Sequence, residues 1–108
     1  MTTSIERATL NELRFRAANK AIEQRRVELG VDGTVPYVCE CDEQRCRELV
    51  RLSPREYREA RMSENHFLLV TGHPFRCGAV VAEHDGYVVI EKTGEAAAVI
   101  AREENRRG

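Results

Sequence analysis

The sequence predicts an α+β fold made of a long N-terminal helix, a zinc knuckle, a short helix, a small antiparallel sheet with a C-terminal hairpin, and a terminal helix. Three observations carry this expectation. Thr3 and Glu6 have the spacing of a capping box, ahead of apolar residues that recur at helical intervals. Asp85-Gly86 lies between two runs of strand character, and this dipeptide suits a two-residue hairpin whose central positions both need positive φ. Between them, Cys39, Cys41 and Cys46 fall within eight residues as C-x-C-x4-C.

Taken in order, Leu10, Leu13, Ala17 and Ala21, with Phe15, Ala18 and Ile22 beside them, define a first helix from about Ser4 to Leu29. Gly30 should stop it, because glycine tolerates the left-handed conformation that closes many helices. Val31 to Thr34 reads as a turn, and Pro36 leads an extended segment through Tyr37 and Val38 into Cys39. Beyond Cys46, the alternation of Glu48 to Leu52 predicts a short strand. Ser53 as N-cap, Pro54 at the first helical position and Glu56 three residues after the cap then predict a helix through Tyr57 to about Ser63. The continuous run His66 to Thr71 reads as a buried strand ended by Gly72-His73-Pro74. Val80 to His84 and Tyr87 to Glu91 form the arms of the hairpin. Thr93 is placed to cap a last helix from about Gly94 to Glu104, with Asn105 to Gly108 frayed.

A chain of 108 residues, 42% hydrophobic and 32% charged, suits one small domain over residues 1–108: a helix in 1–30, knuckle and sheet in 36–92, and a terminal helix and tail in 93–108. This composition excludes a two-domain enzyme and a disordered tail, and no apolar run approaches the roughly 18 residues of a membrane span. The polar start lacks the features of a secretory signal, so we expect a cytoplasmic protein with reduced thiols. A net charge of −1 and a pI near 6.3 argue against a protein that coats nucleic acid. Lys20 and Lys92 are the only lysines, an arginine-heavy usage that fits a high-GC genome as well as phosphate binding.

In an extended segment Cys39 and Cys41 point to the same face, and the four residues before Cys46 suffice to turn the chain and present a third thiolate from another direction. Structural zinc asks for four such ligands, and the fourth can come from His73 or Cys77 in one later loop. Buried filler is the ordinary reading of a cysteine, but these three stand among Glu40, Asp42, Glu43, Arg45 and Arg47 in a hydrophilic stretch. Disulfides are disfavoured in a reducing compartment and between thiols separated by one residue. His66 and His84 read as ordinary histidines.

The segment Val38-Cys39-Glu40-Cys41-x4-Cys46, the helix start Leu52-Ser53-Pro54-Arg55-Glu56-Tyr57, the pair Gly72-His73 and the hairpin Asp85 to Lys92 together resemble a family of small uncharacterised actinobacterial proteins. The resemblance covers most of the chain beyond the first helix. It implies a metal site of Cys39, Cys41, Cys46 and His73 and no activity; Cys77 departs from the family pattern.

As an enzyme the chain is poorly equipped. A catalytic zinc keeps a position open beside a base, whereas Glu40 and Asp42 read as solvated knuckle charges, and no phosphate loop, nucleophile elbow or paired-histidine motif is present. The expectation is therefore a small cytoplasmic zinc-binding protein with a structural Zn2+, acting as an interaction or regulatory module. Its partner would be another protein or a second copy bound through the long first helix. Two alternatives are carried: a nucleic-acid-binding regulator using Arg45, Arg47, Arg51, Arg55, Arg58 and Arg61, and a thiol-based redox sensor.

Overall fold

The computed structural model describes residues 2–107. Its elements are α1 (Ser4–Leu29), β1 (Val35–Val38), β2 (Leu49–Leu52), α2 (Pro54–Ala60), β3 (His66–Val70), β4 (Gly78–Glu83), β5 (Tyr87–Lys92) and α3 (Gly94–Arg107). This is the expected α+β order, and the caps of α1 and α2 act as the sequence indicates, whereas the Asp85-Gly86 turn differs: it closes through His84 N to Tyr87 O at 2.9 Å with positive φ at Gly86 (89°) but not at Asp85. Thr3 Oγ1 accepts from Glu6 N at 2.9 Å, and Gly30 closes α1 at φ 70°. At α2 the box is reciprocal: Glu56 N donates to Ser53 Oγ at 3.2 Å, and Ser53 N donates to Glu56 Oε1 at 2.7 Å.

The strands form two antiparallel sheets instead of one. β1 and β2 pair with Val35 opposite Leu52, while the second sheet has the order β3-β5-β4. β3 is buried on both faces, which explains its unbroken apolar sequence. Leu68 enters a cluster with Tyr37, Leu52, Tyr57 and Val89, whereas Phe67 and Leu69 enter a second with Ile90, Ile100, Cys39 and Cys41. The β4–β5 hairpin carries a register shift between Val80 and Ala82, so β4 begins at Gly78 and His84 falls outside it. Gly78 is required there, because a Cβ at this position would stand 2.6 Å from Glu91 O.

Other boundaries differ as well: β3 ends at Val70 instead of Thr71, and β5 runs on to Lys92. α2 ends at Ala60 with Arg61 as C-cap, not at Ser63, and the Arg61 guanidinium turns inward to Glu40 and His66 O. α3 continues to Arg107 instead of fraying after Glu104. Arg16 holds Glu104 at 2.8 Å, and Arg106 holds Glu103 within the last turn. Gly108, expected to fray, lies outside the described residues. β2 begins at Leu49, one residue later than expected.

α1 does not present an apolar stripe to the sheet. Its buried residues are Thr9, Asn11, Glu12, Arg16 and Asn19, and its large apolar side chains are half-buried beside them or exposed near its C-terminus. Each buried charge has a partner elsewhere: Lys92 Nζ meets Glu12 Oε2 at 2.8 Å, both side chains being 2% exposed, and Arg16 lies 4.7 Å from the Phe67 ring centroid as well as beside Glu104. Such a face can be buried because every charge is matched across the contact.

Candidate metal centre

The end of β1, the start of β2 and the turn after β3 meet at one point. Cys39 follows β1 directly, its N–H donating to Glu48 O at 3.2 Å across the mouth of the β1–β2 pair. The next N–H, of Glu40, donates to Leu68 O at 2.8 Å, so the chain steps from the first sheet onto β3 within one residue. The intervening loop then turns, with Cys46 N donating to Glu43 O at 3.1 Å. After β3, His73 N donates to Val70 O at 3.2 Å, and this turn brings the imidazole back over the cysteines.

The result is a group of Cys39, Cys41, Cys46 and His73 whose ligand atoms all lie within 4.8 Å of one another. An ion held tetrahedrally by sulfurs at about 2.3 Å has ligands about 3.8 Å apart, so the group closes on a metal with small side-chain movements. His73 Nδ1 stands 3.3 Å from Cys39 Sγ, which makes Nδ1 the nitrogen turned toward the sulfurs. Its Nε2 meets the Glu48 carboxylate. A carboxylate on the far nitrogen fixes the tautomer that leaves Nδ1 free to ligate, and it strengthens the donor.

Backbone donors serve the sulfurs as well: Val70 N donates to Cys39 Sγ at 3.3 Å. Cys39 and Cys41 are buried and Cys46 is half-buried. Burial pushes the Cys39 and Cys41 thiols up, and their neighbouring thiols add to this for Cys39. Both would be neutral thiols without a cation, and a divalent metal supplies the charge that reverses this preference. Cys77 lies outside the group, half-buried and left-handed at φ 55°.

Glu40, expected as a solvated knuckle charge, is fully buried. It accepts from Asn19 Nδ2 at 2.7 Å and Leu68 N at 3.0 Å and pairs with Arg61. Asn19 also grips the Val38 backbone, donating to its O and accepting from its N, each at 2.8 Å. The knuckle is therefore fixed to α1, α2 and β3 by one carboxylate. Neither Glu48 nor Glu40 was marked by sequence spacing, although each adjoins or nearly adjoins a ligand. His66 and His84 lie outside the group: His66 Nε2 stands 3.6 Å from Glu91 while its Nδ1 is buried without a partner among the described residues, and His84 stacks on Tyr87.

The fold and the site define an α+β protein whose three cysteines and one histidine can hold a metal ion. Comparison with family models, curated proteins and solved structures finds no match. Among the described residues no helix is long and apolar enough to cross a membrane.

Proposed function

We propose that the protein is a zinc-binding interaction or regulatory module whose ion is structural, held by Cys39, Cys41, Cys46 and His73. The convergence of these four ligand atoms is the observation that carries the proposal. Three thiolates and an imidazole are a donor set suited to zinc, and with all four positions filled no site is left for a reacting water. The ion would tie the end of β1 and the start of β2 to the turn after β3, adding a cross-link at the edge of the cluster that Tyr37, Leu52 and Leu68 already share between the two sheets. That placement favours a role in stability over catalysis.

The interaction reading draws on the exposed apolar residues past the covered part of α1, where Val27 and Leu29 are each 61% exposed and Val31 follows. The nucleic-acid alternative loses one of its arginines inward, since Arg61 pairs with Glu40, and another to a surface pair, Arg55 with Glu59 at 3.2 Å.

Native mass spectrometry of the purified protein tests the metal proposal. One zinc per chain is expected, and Cys41→Ser should abolish stoichiometric binding. Full zinc occupancy in that variant would overturn the ligand assignment. His73→Ala should weaken zinc in a competitive titration while Cys77→Ser leaves it unchanged; the reverse pattern would move the fourth ligand to Cys77.

A further inference from the structure

A second polar site lies on the other side of the knuckle. The first turns of α1, the loop between Cys41 and Cys46, and the segment after β3 enclose a cleft of about 330 Å³ lined by Ser4, Arg7, Asn11, Arg45 and Arg76, with Asp42 and Glu43 on its wall. Asn11 is 6% exposed, and its Nδ2 has no hydrogen-bond partner. Buried amide donors are almost always satisfied, and an orphan lining a cleft marks a place where an acceptor from outside the chain belongs.

We propose that this cleft binds a phosphate dianion, with Asn11 and the guanidinium groups of Arg7, Arg45 and Arg76 as donors along the flank of the first turns of α1. Ser4, Arg7 and Asn11 lie on one face of the first two turns of α1 and form one side of the cleft. Arg76 is already poised across the cleft, reaching Ser4 Oγ at 3.3 Å and Asp42 Oδ2 at 3.5 Å. Arg7 donates to Thr2 O, and the Arg45 guanidinium has no partner among the described residues.

Charge and donor geometry together select the ligand. Three guanidiniums against Asp42 and Glu43 leave one positive charge, so the cleft takes an anion. Three guanidinium forks on opposite walls can engage three oxygens of a phosphate, where a carboxylate offers two in one plane. The free ion and an organic phosphate monoester share this chemistry, and the site does not depend on which metal the cysteine group holds.

The test is a titration of the 15N-labelled, metal-loaded protein with inorganic phosphate and with glycerol phosphate at constant ionic strength, followed by amide and side-chain resonances. Saturable shifts are expected at Ser4, Arg7, Arg45 and the Asn11 side-chain amide. Arg7→Glu, at an exposed position, should weaken binding by about tenfold or more, the loss of one charge-assisted hydrogen bond. Asn11→Asp, near-isosteric but negative, should abolish saturation while zinc content stays at the parent level. Tighter binding of glycerol phosphate assigns an organic monoester and equal binding assigns phosphate itself; either sustains the site. Shifts that fail to saturate or spread over all arginines, or an affinity unchanged by Arg7→Glu, overturn it. A DNA oligonucleotide that saturates the protein where neither small phosphate does would also overturn it, in favour of a nucleic-acid backbone.

Discussion

Lys92 and Glu12 form a buried pair between β5 and α1, and removing one partner has a cost that depends on pH in a defined direction. Burial raises the Glu12 carboxyl above its ordinary value of 4.5, and Lys92 is the chief influence that lowers it. Lys92→Met deletes that influence and also the 2.9 Å bond from Lys92 Nζ to Arg76 O. A buried charge left without its partner costs about 3–5 kcal/mol, which at neutral pH is a large part of the roughly 5–15 kcal/mol that holds a domain together. Because about 1 kcal/mol shifts the midpoint of a domain of this size by about 4–8 °C, the thermal midpoint should fall by on the order of 12 °C or more. Near pH 4 Glu12 is protonated in both folded and unfolded chains, so the variant loses little beyond the Lys92 bonds. As pH rises above 4.5 the unfolded chain gives up the Glu12 proton before the folded one does. The same holds for the parent, whose own Glu12 is raised, so stability relative to the parent falls only once the parent's folded Glu12 has ionised and the variant's has not, by up to about 1.4 kcal/mol per pH unit. The double variant Glu12→Met/Lys92→Met should recover to within about 1 kcal/mol of the parent, because no charge remains buried. Urea denaturation of the three proteins against pH measures all of this. A single variant costing less than about 1 kcal/mol at pH 7, or a double variant no better than the single, would refute the assignment of an energetically coupled pair.

Other outcomes follow from the same geometry. Glu48→Gln leaves the four ligands intact but removes the carboxylate behind His73, so zinc affinity should drop by about 10–100-fold in a chelator competition. Stripping zinc with a strong chelator should lower the denaturation midpoint, since structural sites contribute about 10–16 kcal/mol in small peptides; a midpoint unmoved after demonstrated metal loss would count against a structural role. Burial lifts Tyr57 and Tyr87 to about 12 from 10.0. Stability should thus be complete below pH 10 and decline between pH 10 and 12, as the unfolded chain ionises its tyrosines first; ultraviolet titration at the phenolate band would show ionisation coinciding with unfolding. Gly78→Ala drives a methyl into Glu91 O and should cost about 1–3 kcal/mol in thermal denaturation.

What could be read from the sequence was what local chemistry decides. The caps of α1 and α2 depend on residues three apart, and Cys39-x-Cys41 depends on the two-residue period of extended chain, so each was visible without knowing the fold. His73 was visible as a ligand candidate because a glycine and a proline hold it at a strand end. The partners that finish the site were not, because they depend on distant packing. Glu40 lies beside two ligands in a stretch of charges and looks solvated until Asn19, 21 residues earlier, and Arg61, 21 residues later, are brought to it. Arg61 in turn looked like the end of a surface helix. The inward face of α1 was misjudged for a related reason: amphipathic patterning assumes that buried means apolar, whereas here Glu12, Arg16 and Asn19 are matched one by one to Lys92, Glu104 and the Val38 backbone.

The alternation of Cys39, Glu40 and Cys41 makes this short stretch a check on its own register. The sulfurs lead toward His73, and the carboxylate leads toward Arg61 and Asn19. Sliding the chain by one position would exchange the two sides, offering a thiol to the guanidinium and a carboxylate to a pocket of soft donors. Arg61 would then be buried without its counter-charge and two sulfurs would leave the Cys39, Cys41, Cys46 and His73 group at once, so both faces of the stretch reject the slipped arrangement.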